Sequence, residues 1–188
     1  MVFMDSKNNQ NSDLPVRLER RTVFESEYLS LHVDRVRQPN GFIIERFHFV
    51  EYPGPAVGVV VEDEDGRVVL VRVPRYTVNT CSWSVPAGGV DRGEEVLISA
   101  QREVREETGF ESHEHRLVYS YFPQDGSSNK QFHLVHCKAG AQTGTFDPDE
   151  ISEVRWFSRG EIEAMIDRHE IEDGLGLTAQ LLWLRQGP

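Results

Sequence analysis

Residues 88–110 read GGVDRGEEVLISAQREVREETGF, and the fold turns on how this stretch is read. Val96, Leu97, Ala100 and Val104 recur at helical spacing, which predicts an amphipathic helix from about Glu94 to Thr108. Gly109 follows where a helix C-cap belongs. Glu103, Glu106 and Glu107 stand at i, i+3 and i+4, so they share one face. Like charges at that spacing cost about 0.2–0.5 kcal/mol per pair. They also crowd the negative end of the helix dipole. Arg102 and Arg105 supply part of the compensation, and a bound cation would supply it better. Hard carboxylate oxygens suit Mg²⁺ or Mn²⁺ rather than Zn²⁺. The turn Pro86-Ala87-Gly88-Gly89 brings backbone close and can add the Ala87 carbonyl as a ligand. Carboxylates on a helix facing such a turn suggest metal-assisted attack on a phosphoanhydride. REVREE alone reads as a solvated helix face, as most charge runs do. The longer pattern decides.

Upstream, VRLERRTVF, YLSLHVDRVR and FIIERFHFV alternate like strands, with Pro39-Asn40-Gly41 as a hairpin signal between the last two. They predict a small antiparallel unit of three strands. Gly54-Pro55 marks a boundary, and AVGVVVED beyond it reads as a strand buried on both faces. Asp65-Gly66 turns that strand into RVVLVRV, its hairpin partner, and residues 74–84 read as irregular. Downstream come strands at HRLVYSYF and QFHLVHCKA, an acidic loop TFDPDEISE and a short strand VRWFS. Ser158 and Glu161 form a capping-box pattern for the helix EIEAMIDR, and TAQLLWLRQ predicts a last helix. Strands and helices in this order make a layered α/β fold.

The chain has 188 residues, enough for one domain with a small appendage. Its formal charge of −11 argues against a nucleic-acid backbone as partner, because such binding needs clustered cations. Two cysteines, Cys81 and Cys137, fit a reduced cytoplasmic protein better than a disulfide scaffold. No apolar run is long enough to span a bilayer. The start, MVFMDSKNNQNSD, lacks the plan of a signal peptide and is predicted to be disordered. His113, His115, His133 and His136 have no third ligand at metal-site spacing and read as exposed or structural.

Residues 88–110 resemble the Nudix box, G-x5-E-x7-R-E-U-x-E-E-x-G-U. Gly88, Glu94, Arg102, Glu103, Val104, Glu106, Glu107, Gly109 and Phe110 fill every constrained position. The resemblance implies a hydrolase of nucleoside diphosphates linked to another moiety. In that family the carboxylates matching Glu103, Glu106 and Glu107 hold metal, the arginine matching Arg102 orients them, and the glutamate matching Glu94 joins the network. RYTVNTCSWSVPAG is similar to the ADP-ribose and ADP-sugar pyrophosphatase branch, in which Arg75 would bind a phosphate. The N-terminal strands resemble that branch's small sheet, which builds a homodimer and supplies aromatics to the base; Tyr28 and Phe47 fall at suitable places. A late acidic loop supplies the base for water, which points to Glu150 first and Glu153 second. Two departures stand out: Ser84 replaces a glutamate usual in the branch, and Pro123 comes early.

The sequence thus predicts an α/β/α Nudix sandwich with a mixed sheet, plus a small N-terminal antiparallel sheet. Residues 1–13 form the tail, 14–52 the dimerisation sheet and 53–188 the hydrolase domain. The predicted reaction is Mg²⁺- or Mn²⁺-dependent hydrolysis of a nucleoside diphosphate sugar. Its rivals are another nucleotide class, such as a nucleoside triphosphate or dinucleoside polyphosphate, and a nucleotide sensor without turnover. A calcium module is opposed by the lack of an alternating Asp/Asn loop.

Overall fold

The computed structural model describes residues 13–186, so all but the last residue of the predicted tail lies outside the described residues. Its contacts divide the chain into two units. The N-terminal unit runs to Pro53 and takes in Gln124–Lys130. Its strands β1 (Val16–Glu25), β2 (Ser30–Arg37) and β3 (Ile43–Glu51) form an antiparallel sheet in that order. Arg20 organises one face of this sheet. It donates to both oxygens of Asp34, at 2.9 and 2.8 Å, and to Glu51 at 2.8 Å. Asp34 is only 5% exposed, so this fork supplies the pairing that a buried carboxylate needs. Strand β1 lies on the sheet edge, where Val16, Val23 and Phe24 are about half exposed. The segment 124–130 attaches by its backbone and by Asn129. Val50 N–H donates to Ser127 O at 2.8 Å, and the Asn129 amide both accepts from Tyr52 N–H and donates to Tyr52 O.

The second unit comprises Gly54–Pro123 and Gln131–Pro188. It begins with β4 (Ala56–Glu62), β5 (Val68–Arg75), β6 (Thr80–Ser84) and β7 (Ala87–Gly89), followed by helix α1 (Val96–Thr108). Then come β8 (Phe110–Tyr121), β9 (Phe132–Gln142), β10 (Glu153–Phe157), α2 (Arg159–Asp167) and α3 (Gly174–Arg185). The mixed sheet has the order β10-β5-β4-β9-β8, with β6 beside β5 and β7 beside β4; β4 and β9 run parallel. Strand β4 is buried on both faces, as its apolar run demands. Val57, Val59 and Val61 pack with Ala100 and Val104 of α1, whereas Val60 joins Leu70, Leu134, Ile162, Met165 and Trp183 under α2 and α3. Each Val, Leu, Ile or Met side chain here contributes about 1.5–3 kcal/mol through burial. Helices on both faces make this the α/β/α sandwich.

Several boundaries differ from those predicted. Residues 74–84 are not irregular: β6 pairs with β5 from Val71↔Ser84 to Arg75↔Thr80. The Pro86–Gly89 turn becomes β7, which pairs with β4. The β4–β5 hairpin closes only at Glu62↔Val68, because β4 takes β9 and β7 as its partners. Helix α1 starts at Val96 rather than near Glu94, with Glu95 at the N-cap, and Leu97 is 38% exposed whereas Ser99 is buried. Helix α3 starts at Gly174, earlier than TAQLLWLRQ implied, because Asp173 caps it by accepting from Leu175 and Gly176 N–H. The capping box at Ser158 and Glu161 forms as predicted.

Candidate active site

Helix α1 ends at Gly109, whose φ of 74° is left-handed, and a Cβ there would strike the Gly144 carbonyl. Gly109 O accepts from Thr143 and Gly144 N–H, and Glu106 O accepts from Asp147 N–H. These bonds fold the acidic loop over the carboxylate-bearing end of the helix. Together they enclose an open pocket of about 470 Å³ lined by Glu103, Glu106, Glu107, Thr145, Phe146, Asp147, Pro148 and Glu150. Glu153 lies outside it, in β10 beside Arg72 at 3.7 Å.

Arg102 ties the box together. Its guanidinium donates to Glu94, to Glu103 at 2.7 Å, to Glu106 at 3.2 Å and to Gly89 O at 2.9 Å. Glu94 lies before the helix, where it also accepts from Ser99 Oγ at 2.5 Å and from Asp91 N–H at 3.2 Å. The Arg102 bonds, with that of Ser99, hold the Glu94 carboxyl down at about 2. Glu94 therefore fixes Arg102 from a loop rather than from the first helical turn. Ser99, which the charge pattern did not single out, is its partner.

Glu103 lies against Gly88, and any Cβ at Gly88 would collide with its carboxylate. That contact explains why the box opens on glycine. Burial raises the Glu103 carboxyl despite the Arg102 contact, and the charges of Glu106 and Glu150 add to the rise. Glu107 Oε2 accepts from Ala87 N–H at 2.9 Å. Burial pushes the Glu107 carboxyl up to about 8; Glu103 and Glu150 reinforce this, and the Ala87 bond and the Arg75 charge oppose it. Ala87 thus enters the site by its N–H.

Arg75 closes β5 opposite Thr80 and is exposed. Tyr28 and Phe47 belong to the N-terminal unit. Tyr28 is 74% exposed in the β1–β2 turn, whereas Phe47 pairs with Asp34 within the sheet. Cys81 is exposed and Cys137 buried, both free. Three of the four histidines have side-chain partners: His133 with Ser120, His115 with Ser112 and His136 with Glu62.

Among the described residues no three carboxylate, imidazole or thiol groups stand at mutual metal-ligand distance. Glu103 and Glu106 point to Arg102, and Glu107 to Ala87. The donor set nonetheless fits a hard divalent cation. It consists of carboxylate oxygens lining one pocket, two of them lifted by burial and by neighbouring acidic charges.

The NUDIX domain family matches residues 52–175, and the chain belongs to that family. It is a Nudix hydrolase. It is similar to the CMP-5'-(N-acetyl-N-hydroxy-3-aminopropyl)phosphonate hydrolase of Streptomyces rubellomurinus, at 32% identity over 78% of this chain and 70% of that one. It is also similar to ADP-ribose pyrophosphatases of Bacillus subtilis (24% identity, 83% of this chain, 85% of that one) and Mycobacterium tuberculosis (26%, 87% and 80%). The crystal structure of an ADP compounds hydrolase shares the fold, with a TM-score of 0.80, 18% identity and coverage of 92% of this chain and 96% of that one. Among the described residues no helix is long and apolar enough to cross a membrane.

Proposed function

We propose that the protein is a Mg²⁺- or Mn²⁺-dependent pyrophosphatase. It hydrolyses a nucleoside diphosphate sugar, ADP-ribose or a close analogue, to a nucleoside monophosphate and a sugar phosphate. The observation that carries this reading is one pocket lined by Glu103, Glu106, Glu107 and Glu150 at the foot of the Arg102 clamp. Nudix hydrolases generally use a divalent metal. Glu103, Glu106, Glu107 and the Ala87 carbonyl would hold it, and it would neutralise charge on the pyrophosphate. Glu94 keeps Arg102 in place, and Arg102 keeps Glu103 and Glu106 apart from one another's repulsion. Glu150 accepts a proton from the attacking water, whose oxygen bonds to phosphorus while the bridging oxygen leaves with the other phosphate. Arg75 binds a phosphate oxygen.

Tyr28 lies in the β1–β2 turn and Phe47 in β3, and we assign them to a base sandwich completed by a second copy in a homodimer built through the N-terminal unit. The exposed apolar residues of β1 support that assembly. The charge of −11 disfavours a nucleic-acid partner, and a cytoplasmic setting suits two free thiols. The similarity to a hydrolase of a CMP-linked phosphonate favours a second reading, in which the nucleotide is a pyrimidine.

The test is product analysis with Mg²⁺ across ADP-ribose, ADP-glucose, GDP-mannose, a CMP-linked phosphonate, dinucleoside polyphosphates and nucleoside triphosphates. Release of AMP and ribose 5-phosphate from ADP-ribose is the expected result, and turnover of triphosphates alone would overturn the reading. Undiminished turnover in EDTA would remove the metal. Sedimentation as a monomer at micromolar concentration would remove the shared base site.

A further inference from the structure

We propose that Ser84 and Asp173 form a clasp that positions the Pro86–Ala87 turn and, through it, the Glu107 carboxylate. Both would be positioning residues, neither of them part of the box. Ser84 is 3% exposed, and its Oγ donates to Asp173 Oδ2 at 2.5 Å. Asp173 is itself immobilised, because it caps α3: Oδ1 accepts from Leu175 N–H at 2.9 Å and Oδ2 from Gly176 N–H at 2.8 Å. The approach is tight enough to exclude a side chain. A Cβ on Gly176 would sit 2.7 Å from Asp173 Oδ2 and 2.8 Å from Ser84 Oγ.

The path from Ser84 to the site is short and stiff. Val85 is buried at 1% exposure in the core beneath α2 and α3. Pro86 has its φ set by its ring, and its carbonyl accepts from Val59 N–H at 2.9 Å. Ala87 N–H then donates to Glu107 Oε2. Displacing Ser84 therefore moves a backbone donor that orients Glu107.

The inference rests on the reading of Glu107 as a metal ligand, and the test separates the two. Mn²⁺ binding to the full chain is measured by electron paramagnetic resonance without substrate, alongside denaturant unfolding. Ser84→Ala removes the donor and leaves the Asp173 cap intact. Gly176→Ala wedges the clasp open while favouring the helix. Each should weaken Mn²⁺ binding about tenfold, the lower end of the usual effect of removing an outer-shell partner. A contact that merely holds α3 would lower the unfolding midpoint and leave Mn²⁺ affinity at the wild-type value in both variants; that result overturns the clasp. Glu107→Gln is the control. Wild-type Mn²⁺ affinity in Glu107→Gln would overturn the metal reading and the clasp with it. Loss in Glu107→Gln without loss in Ser84→Ala or Gly176→Ala would overturn the clasp alone.

Discussion

Glu62 and Glu107 are carboxylates of the same unit, placed on opposite faces of its sheet and held in opposite ways. Glu62, at the end of β4, meets Lys138 Nζ at 2.8 Å, His136 Nε2 at 2.9 Å and Trp183 Nε1 at 3.1 Å. Burial alone would raise its carboxyl, but these three contacts more than offset it and hold Glu62 at about 2. Among the described residues Glu107 accepts from Ala87 N–H, faces the charges of Glu103 and Glu150 with Arg75 opposing them, and its carboxyl stands at about 8. Burial raises both carboxyls, more strongly at Glu107, and only at Glu62 do donors outweigh it. A carboxylate matched within the fold serves stability, whereas one left short of partners is complementary to an incoming cation. This is the arrangement expected of a functional group kept at some cost to the fold.

Changing each glutamate in turn tests that contrast. The largest effect belongs to Glu107→Gln, which should lower kcat by several orders of magnitude through loss of a metal-binding charge. Its thermal midpoint without metal should hold or rise above about pH 8, where the wild-type carboxyl is ionised, since one of three crowded like charges is then gone. Next is Glu150→Gln, which should cut kcat by about 10²–10⁴-fold while leaving the Mg²⁺ requirement and KM little changed. Steady-state kinetics over a Mg²⁺ series separates the two, and wild-type kcat in Glu150→Gln would pass the role of base to Asp147, the other loop acid lining the pocket.

Glu62→Ala should do the reverse of Glu107→Gln. Activity per folded molecule stays near wild type, but stability falls by about 1–3 kcal/mol because buried donors lose their acceptor. Denaturant unfolding measures it, and a catalytic defect larger than the stability loss would break the comparison. The smallest effect is in the acid limb. Glu62 is held near 2, below its ordinary 4.5, so its contribution is complete above about pH 4.5 and is lost as pH falls toward 2. Glu62→Gln should therefore show a shallower fall in stability across that window than the wild type, read from unfolding midpoints at stepped pH.

The sequence by itself determined the helix that bears Glu103, Glu106 and Glu107, the doubly buried β4 and the capping box at Ser158. Each depends on residues within a few positions of one another, and helix period, β alternation and capping are local rules. The N-terminal strands and the last strand, β10, were legible for the same reason. The box also placed Gly88 and Gly109; the C-cap already called for glycine at 109, and the packed structure adds a steric reason at both. Glu103 presses on one and the Gly144 carbonyl on the other. Strand β6 was missed because its Thr-Cys-Ser-Trp-Ser run is short and buries the serines, Ser82 and Ser84, while Cys81 is exposed, and its pairing comes from β5 across the turn at residues 76–79. Ser99 and Asp147, the Asn129–Tyr52 contact and the Ser84–Asp173 bond were equally hidden. Their partners lie 5 to 89 residues away in the chain, and no period links them. Tertiary structure alone also decided which carboxylates would be matched. Glu62 meets Trp183 from 121 residues later, whereas Glu107 meets one backbone amide, and only folding determines how many donors reach a buried oxygen.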